Sequence, residues 1–178
     1  MKHLFFAAAL LLASSCKEEK AAPPKLSPIG AANDLAAKSL LQAFYTVSRP
    51  SRPQTVSNAV AAKPAIGSSI AITGRVGGSK KPIGDFASLM LVQGDMPSCS
   101  EAGSMKDCAT PWDLCCDELK GKVCTIQVKG ADGKLLRTSL RGLGDLKEMS
   151  TITVGGTVSI SDDGLLVIDA SQIYVDKP

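Results

Sequence analysis

The chain has 178 residues and a formal net charge of only +3. That length suits one domain with a real core, and that charge is too mild to mark a nucleic-acid binder. Four Phe, two Tyr and one Trp leave few stacking platforms, and the single histidine sits at position 3.

The first sixteen residues read MKHLFFAAALLLASSC. Lys2 and His3 form a short basic start, Leu4 to Ala13 form an apolar run of ten residues, and Ala13, Ser14 and Ser15 lead into Cys16. That layout predicts a secretory signal peptide over 1–15, because the apolar run is too short to span a membrane. Small residues directly before a cysteine resemble the lipobox of bacterial lipoproteins, with Ala13 where that family usually has leucine. The resemblance implies that Cys16 carries diacylglycerol and a further acyl chain such as palmitate, and becomes the N-terminus. It also implies an exported lipoprotein held on a membrane, facing the periplasm or the cell surface. Several acyl chains give stable anchoring, since each buried CH₂ contributes about 0.8 kcal/mol. Ordinary signal cleavage nearby, with Cys16 left as a plain thiol, is the alternative.

Cleavage before Cys16 leaves 163 residues and removes His3, so the mature chain contains no histidine. Neither a Ser-His-Asp nor a Cys-His pair can then be assembled, and no spacing of Asp and Glu marks a paired acid and base. The protein is expected not to be an enzyme, and no cofactor is expected.

Residues 17–30, KEEKAAPPKLSPIG, are charged and proline-rich, so the segment 16–30 reads as a lipidated N-terminus on a flexible tether. A helical extension is expected over 31–64. Its first helix starts at Asn33 or Asp34, either of which can cap it, and runs to Val47. Ala37, Leu40, Leu41, Phe44 and Val47 form one apolar stripe that should pack on the outside of the domain. It stops before SRPSRP (48–53), and a short helix over Val56 to Ala62 ends at Pro64.

From 65 to 178 the period changes to two. Ile70, Ile72, Gly74 and Val76 share one face of a first strand, and Phe86 to Gln93 form a second. Lys122 to Lys129 form a third, with Cys124, Ile126 and Val128 inward. Ser150 to Ile160 form a fourth, with Ile152, Val154, Val158 and Ile160 inward, and Leu165 to Val175 a fifth after the turn Asp162-Asp163-Gly164. KLLRTSL (134–140) is a continuation of the third strand or a short extra one. Five short antiparallel strands with glycine pairs at 77–78 and 155–156 predict a mainly β fold, a small and strongly coiled barrel. LRGLGDLKEM (140–149) supplies a helix or ordered loop to plug its open end. This order, carried by KPAIGSSIAITGRVGG (63–78), STITVGGTVSI (150–160) and LLVIDASQIYV (165–175), resembles the OB-fold. It is most similar to bacterial OB-fold proteins of the nucleic-acid-binding superfamily, over about 110 residues. The resemblance implies a Greek-key barrel of five strands; a small β-sandwich is the structural alternative.

The remaining cysteines, Cys99, Cys108, Cys115, Cys116 and Cys124, all fall in or just after a long connection between the second and third strands, about 94–121. A connection of that length needs a functional or covalent reason. After export the default reason is cross-linking, and a disulfide closing a loop of about fifteen residues contributes about 3 kcal/mol. Cys115 and Cys116 are adjacent, so they are expected to bridge different partners, Cys99 and Cys108, leaving Cys124 unpaired. By strand parity Cys124 is a buried core thiol or an anchor tying the loop to the barrel. A metal site on the same cysteines is the alternative, although their spacing lacks the usual Cys-x2-Cys knuckle. With Met96, Met105 and Trp112 such thiolates suit a soft ion such as Cu(I), a chemistry similar to that of small periplasmic copper-handling proteins. Packing is the simpler role for those three residues.

Between Asp95 and Glu118 six acidic residues face one cation, Lys106, which repels a phosphate backbone. The lysine pair in GGSKKP (77–82) is the only feature in favour of nucleic acid, which is not the expected partner despite the fold. The sequence therefore predicts a membrane-tethered, non-enzymatic OB-fold module of the cell envelope, structural or binding a protein, glycan or other ligand, with a disulfide-stapled loop. The alternative is a lipoprotein that handles copper, zinc or redox chemistry through its cysteines.

Overall fold

Strands whose apolar residues recur at every second position close here into one barrel. The computed structural model describes residues 28–101, 107–115 and 117–176. The predicted signal peptide, Cys16, the tether up to residue 27, Met105, Lys106 and Cys116 lie outside the described residues. The strands are β1 (Gln54–Thr55), β2 (Ser69–Val76), β3 (Ser88–Val92), β4 (Val123–Gln127), β5 (Thr151–Ile160) and β6 (Leu166–Val175). Around the ring β2 pairs with β3, β3 with β4, β4 with β6, β6 with β5, and β5 with β2 again. The two-residue β1 lies parallel beside β2. This is a closed OB-like barrel, mainly β, as the alternation predicts.

One expectation fails on topology. The strands are not all antiparallel, because β4 and β6 run parallel, with Ile126 opposite Ile168. The reason is parity: five strands in a closed ring cannot alternate direction all the way round.

The interior is filled by Ile72 and Val76 from β2, Leu89 and Leu91 from β3, Cys124 and Ile126 from β4, Ile152 and Val154 from β5, and Ile168 and Ile173 from β6, all essentially buried. Burying each large aliphatic side chain contributes roughly 2 kcal/mol. Ile160 departs from its expected place: it is 44% exposed, at the end of β5 beyond the closed part of the barrel. The second strand is also shorter than expected, so Phe86 lies outside it.

The helix α1 spans Pro28–Gln42 and so begins before Asn33. Proline is tolerated there because its missing N–H is one that a first turn leaves unpaired anyway. Residues 28–30 therefore belong to the helix and not to the tether. Of the stripe, Ala37 and Leu41 are buried and Phe44 packs on the core, while Leu40 and Val47 are exposed. The helix ends at Gln42, and the chain then pairs with the edge of β6: the Thr46 N–H donates to Ile173 O at 3.0 Å and the Ile173 N–H to Phe44 O at 2.7 Å. The second helix, α2 (Val56–Ala62), has the expected bounds, with the Thr55 hydroxyl accepting from the Asn58 N–H at 3.3 Å. Between the helices, Arg49 fastens the SRPSRP segment over the β2–β5 seam. Its Nε donates to Thr153 Oγ1 at 3.0 Å and its Nη2 to Thr73 Oγ1 at 3.3 Å.

The segment after β4 plugs one end through Leu140, Leu143 and Leu146, all at 2% exposure or less around a single 3-10 turn, Leu143–Asp145. Arg141 and Glu148 clamp it with a two-pronged ion pair, one prong being Nη1 to Oε2 at 2.7 Å and the other Nη2 to Oε1. The bond from Arg141 holds the Glu148 carboxyl below its ordinary value of 4.5. A carboxylate depressed in the folded state stabilises above its unfolded pKa, and that stability is lost as pH falls through the folded value. Glu148→Gln should cost about 1 kcal/mol at pH 7, small because Arg141 is half exposed. The gap from wild type should close as pH drops below 4.5, read by urea denaturation at both ends of that window.

The glycine pair at 155–156 sits on a register shift between β5 and β6. The two positions are not equivalent. A Cβ at Gly156 would overlap the Asp169 carbonyl oxygen, whereas one at Gly155 would meet Pro50 and Gln172 at an ordinary 3.7–3.8 Å. Gly156→Ala should therefore lose about 2–3 kcal/mol of stability, and Gly155→Ala should stay within about 0.5 kcal/mol of wild type. Equal effects at both positions in thermal or urea unfolding would contradict this account.

Candidate functional site

The long connection from β3 to β4 folds around a small core of its own. Val92, Met96 and Leu114 are buried together, with Leu119 and Val123 packed against them. The turn Pro111–Asp113 presents Trp112 to the β2–β3 connection. There the indole N–H donates to Lys80 O at 3.2 Å, and the Gly78 N–H donates to Trp112 O at 2.8 Å. A Cβ on Gly77 would stand 2.8 Å from that same carbonyl. Gly77 and Gly78 thus let two backbones approach, where the sequence suggested a bend in a strand. Met96 packs in the small core as expected, whereas Trp112 is only half-buried and is held by hydrogen bonds rather than plugged under the loop.

The loop opens with Ser98-Cys99-Ser100-Glu101 folded as a reciprocal capping box. The Ser98 N–H donates to Glu101 Oε2 at 2.7 Å and the Glu101 N–H to Ser98 Oγ at 3.2 Å. Arg75 of β2 stands 3.5 Å from the same carboxylate and ties the box to the barrel. The Ser98 amide, with Arg75 as a lesser cause, holds the Glu101 carboxyl below its ordinary value. Sequence reading missed this pair; the S-x-x-E spacing was the available signal.

The box sets Cys99, which is fully buried and donates its N–H to Pro111 O at 3.3 Å. Its thiol is in hydrogen-bonding contact with Cys115, and Cys108 lies near enough to act on it electrostatically. Burial first, and then Cys115, push the Cys99 thiol above its ordinary 9.0. Cys115 is exposed and Cys108 half-buried. Cys124 stands apart inside the barrel, cross-strand from Leu91, where burial alone pushes its thiol up to about 12. Of the two roles open to it, it has that of a core thiol. Among the described residues no two cysteine sulfurs are at bonding distance, and no group of three or more His, Cys, Asp or Glu is arranged to hold a metal ion.

A second surface gathers the complementary charge. Phe86, 47% exposed, borders a groove of about 690 Å³ with Asp132, Lys134, Leu135 and Arg137. The stretch KLLRTSL folds back to make it: Gly130 donates to Lys134 O at 2.8 Å, Leu136 to Val128 O at 3.1 Å, and Ala87 to Leu136 O at 2.9 Å. Leu136 is thereby buried, while Lys134 and Arg137 are exposed on either side of half-buried Leu135. Alternation about Leu136 was the signal in the sequence, but which loop would meet it was not. The outward residues of β3 and β4 (Ser88, Met90, Thr125 and Gln127 among them) include no aromatic. Gln127 and Lys129 there are both bound to Asp169, at 2.5 and 3.0 Å.

No family model matches the chain, and no curated protein matches it. Among solved structures it is similar to one titled "Crystal structure of a putative aspartyl-tRNA synthetase from Leishmania major Friedlin", at 10% identity and a TM-score of 0.39. The likeness covers 79% of this chain and 25% of that one, so this protein spans a quarter of its length. At that score it carries no argument about function.

Proposed function

We propose that this protein is a membrane-tethered, non-enzymatic OB-fold module of the cell envelope that binds a protein or other envelope ligand, with its β3–β4 loop cross-linked by disulfides. One observation carries the binding half of this reading: the groove that half-exposed Phe86 and Leu135 line together with the cations Lys134 and Arg137 and the single acid Asp132. An apolar floor flanked by charged groups suits a ligand with an apolar part and an acidic part. Single-stranded nucleic acid fits less well, since it needs successive stacking platforms along the strands and tolerates no acidic loop beside them.

The tether half rests on the signal-like segment ending at Cys16. A leader of that kind also takes the chain to a compartment where thiols oxidise, which supports cross-linking in the loop. The contact of Cys99 with Cys115, and the electrostatic effect of Cys108 on it, favour a second reading, a lipoprotein whose cysteines carry redox chemistry.

Labelled fatty acid should enter the wild-type protein and not Cys16→Ser. Label in both would overturn the anchor. A photo-crosslinking residue in place of Phe86 should capture the ligand in intact cells, and Lys134→Glu with Arg137→Glu should abolish that capture.

A further inference from the structure

We propose that Cys99 and Cys115 are the pair that closes the β3–β4 loop, a specific disulfide-forming site from which the neighbouring Cys108 and the core Cys124 are excluded. The pairing rests on the reading of this loop as cross-linked and deepens it. Three observations of position support it. Cys99 is held in place by the capping box and its bond to Pro111 O, and the group its thiol touches is Cys115. Cys108 acts on Cys99 electrostatically, whereas Cys115 is also hydrogen-bonded to it. Cys124 faces the barrel interior across from Leu91.

Exposure assigns the order of events. Cys115 is open to solvent and Cys99 is not, so a disulfide oxidant, RSSR, meets Cys115 first. The Cys115 thiolate attacks one sulfur of RSSR, forming Cys115–S–SR and expelling RS⁻, which takes up the proton Cys115 released. The Cys99 thiolate then attacks the Cys115 sulfur, the Cys99–Cys115 bond forms, and the second RS⁻ leaves with the proton from Cys99. Two thiols lose two protons and two electrons, and RSSR is reduced to two RSH. Burial raises the Cys99 thiol, which disfavours it as the first nucleophile; the mixed disulfide formed beside it on Cys115 then supplies its target. The bond joins the capping box to the end of the Trp112 turn, so both ends of the loop's small core are fixed together.

The test uses the full-length protein, purified without reductant and equilibrated in a glutathione redox buffer. Trypsin separates Cys99, in peptide 81–106, from 107–120, and cleavage before aspartate then splits Cys108, in 107–112, from 113–116. The Cys99 peptide should be found joined to 113–116. Cys108→Ser should keep that link and Cys115→Ser should lose it. The thermal midpoint of wild type should fall by roughly 5–10 °C on reduction, and that of Cys115→Ser should not move. A link from Cys99 to 107–112, or one that survives Cys115→Ser, would overturn the pairing and leave the cross-linked loop standing. Complete alkylation of the loop thiols in the oxidised protein, with no linked peptide, would overturn both. If Cys115→Ser failed to fold, the two-protease map of wild type together with Cys116→Ser would still decide the partner.

Discussion

A closed ring of five strands must contain one parallel contact, and the position of that contact governs most of what else the chain does. Here it falls between β4 and β6. Parallel neighbours cannot be joined by a tight turn, so the chain has to cross the barrel end before it returns. It does so through residues 128–150, and that crossing delivers Leu140, Leu143 and Leu146 to the core. The β5–β6 hairpin then closes the ring, with the register shift at Gly155 and Gly156 relieving the tight curvature. The antiparallel contact between β3 and β4 carries no such demand. Their connection is free to grow, and it has grown into the cysteine loop.

That loop is a satellite and not part of the barrel's interior. Its core of Val92, Met96 and Leu114 is separate from the main cluster, and it meets the rest of the molecule largely through polar groups. Arg75 reaches Glu101, Gly78 reaches the Trp112 carbonyl, and the Trp112 indole reaches Lys80 O. Segments with few buried apolar contacts open at a lower free energy than the domain as a whole. A cross-link adds most in such a place, because it removes conformations from an ensemble that burial alone restrains weakly. Cys124 shows the contrast. It is locked among aliphatic side chains, its thiol protonated at any physiological pH, and it serves as a small hydrophobe.

The charges are divided in a way that net charge conceals. Acidic residues crowd the segment 95–118, while Lys134 and Arg137 line the Phe86 groove with the single acid Asp132. Several other cations are paired within the fold: Lys81 with Asp85, Lys129 with Asp169, Arg141 with Glu148. The groove brings positive charge and an exposed aromatic together.

The alternation of Ile72, Val76, Cys124, Ile126, Ile152 and Val154 determined from the sequence alone that these segments are strands with one buried face, because side-chain direction in a strand depends only on the adjacent backbone; that the strands close into a barrel was decided by their pairing. The same locality made α2 legible, since Thr55 at its start and Pro64 past its end act within a few residues. Partners distant in sequence were decided by the tertiary structure. Leu40 and Val47 fit the apolar stripe of a helix, yet the chain turns off after Gln42 to pair with β6 and leaves both exposed. Ile160 keeps the inward parity of β5 but lies past the point where the ring closes. Phe86 found its cations, and Cys99 its neighbour Cys115, only when loops separated in the chain were brought side by side. Periodicity is a property of the local backbone and can be read from it; a meeting of two loops depends on the closure of the whole ring, which no single segment encodes.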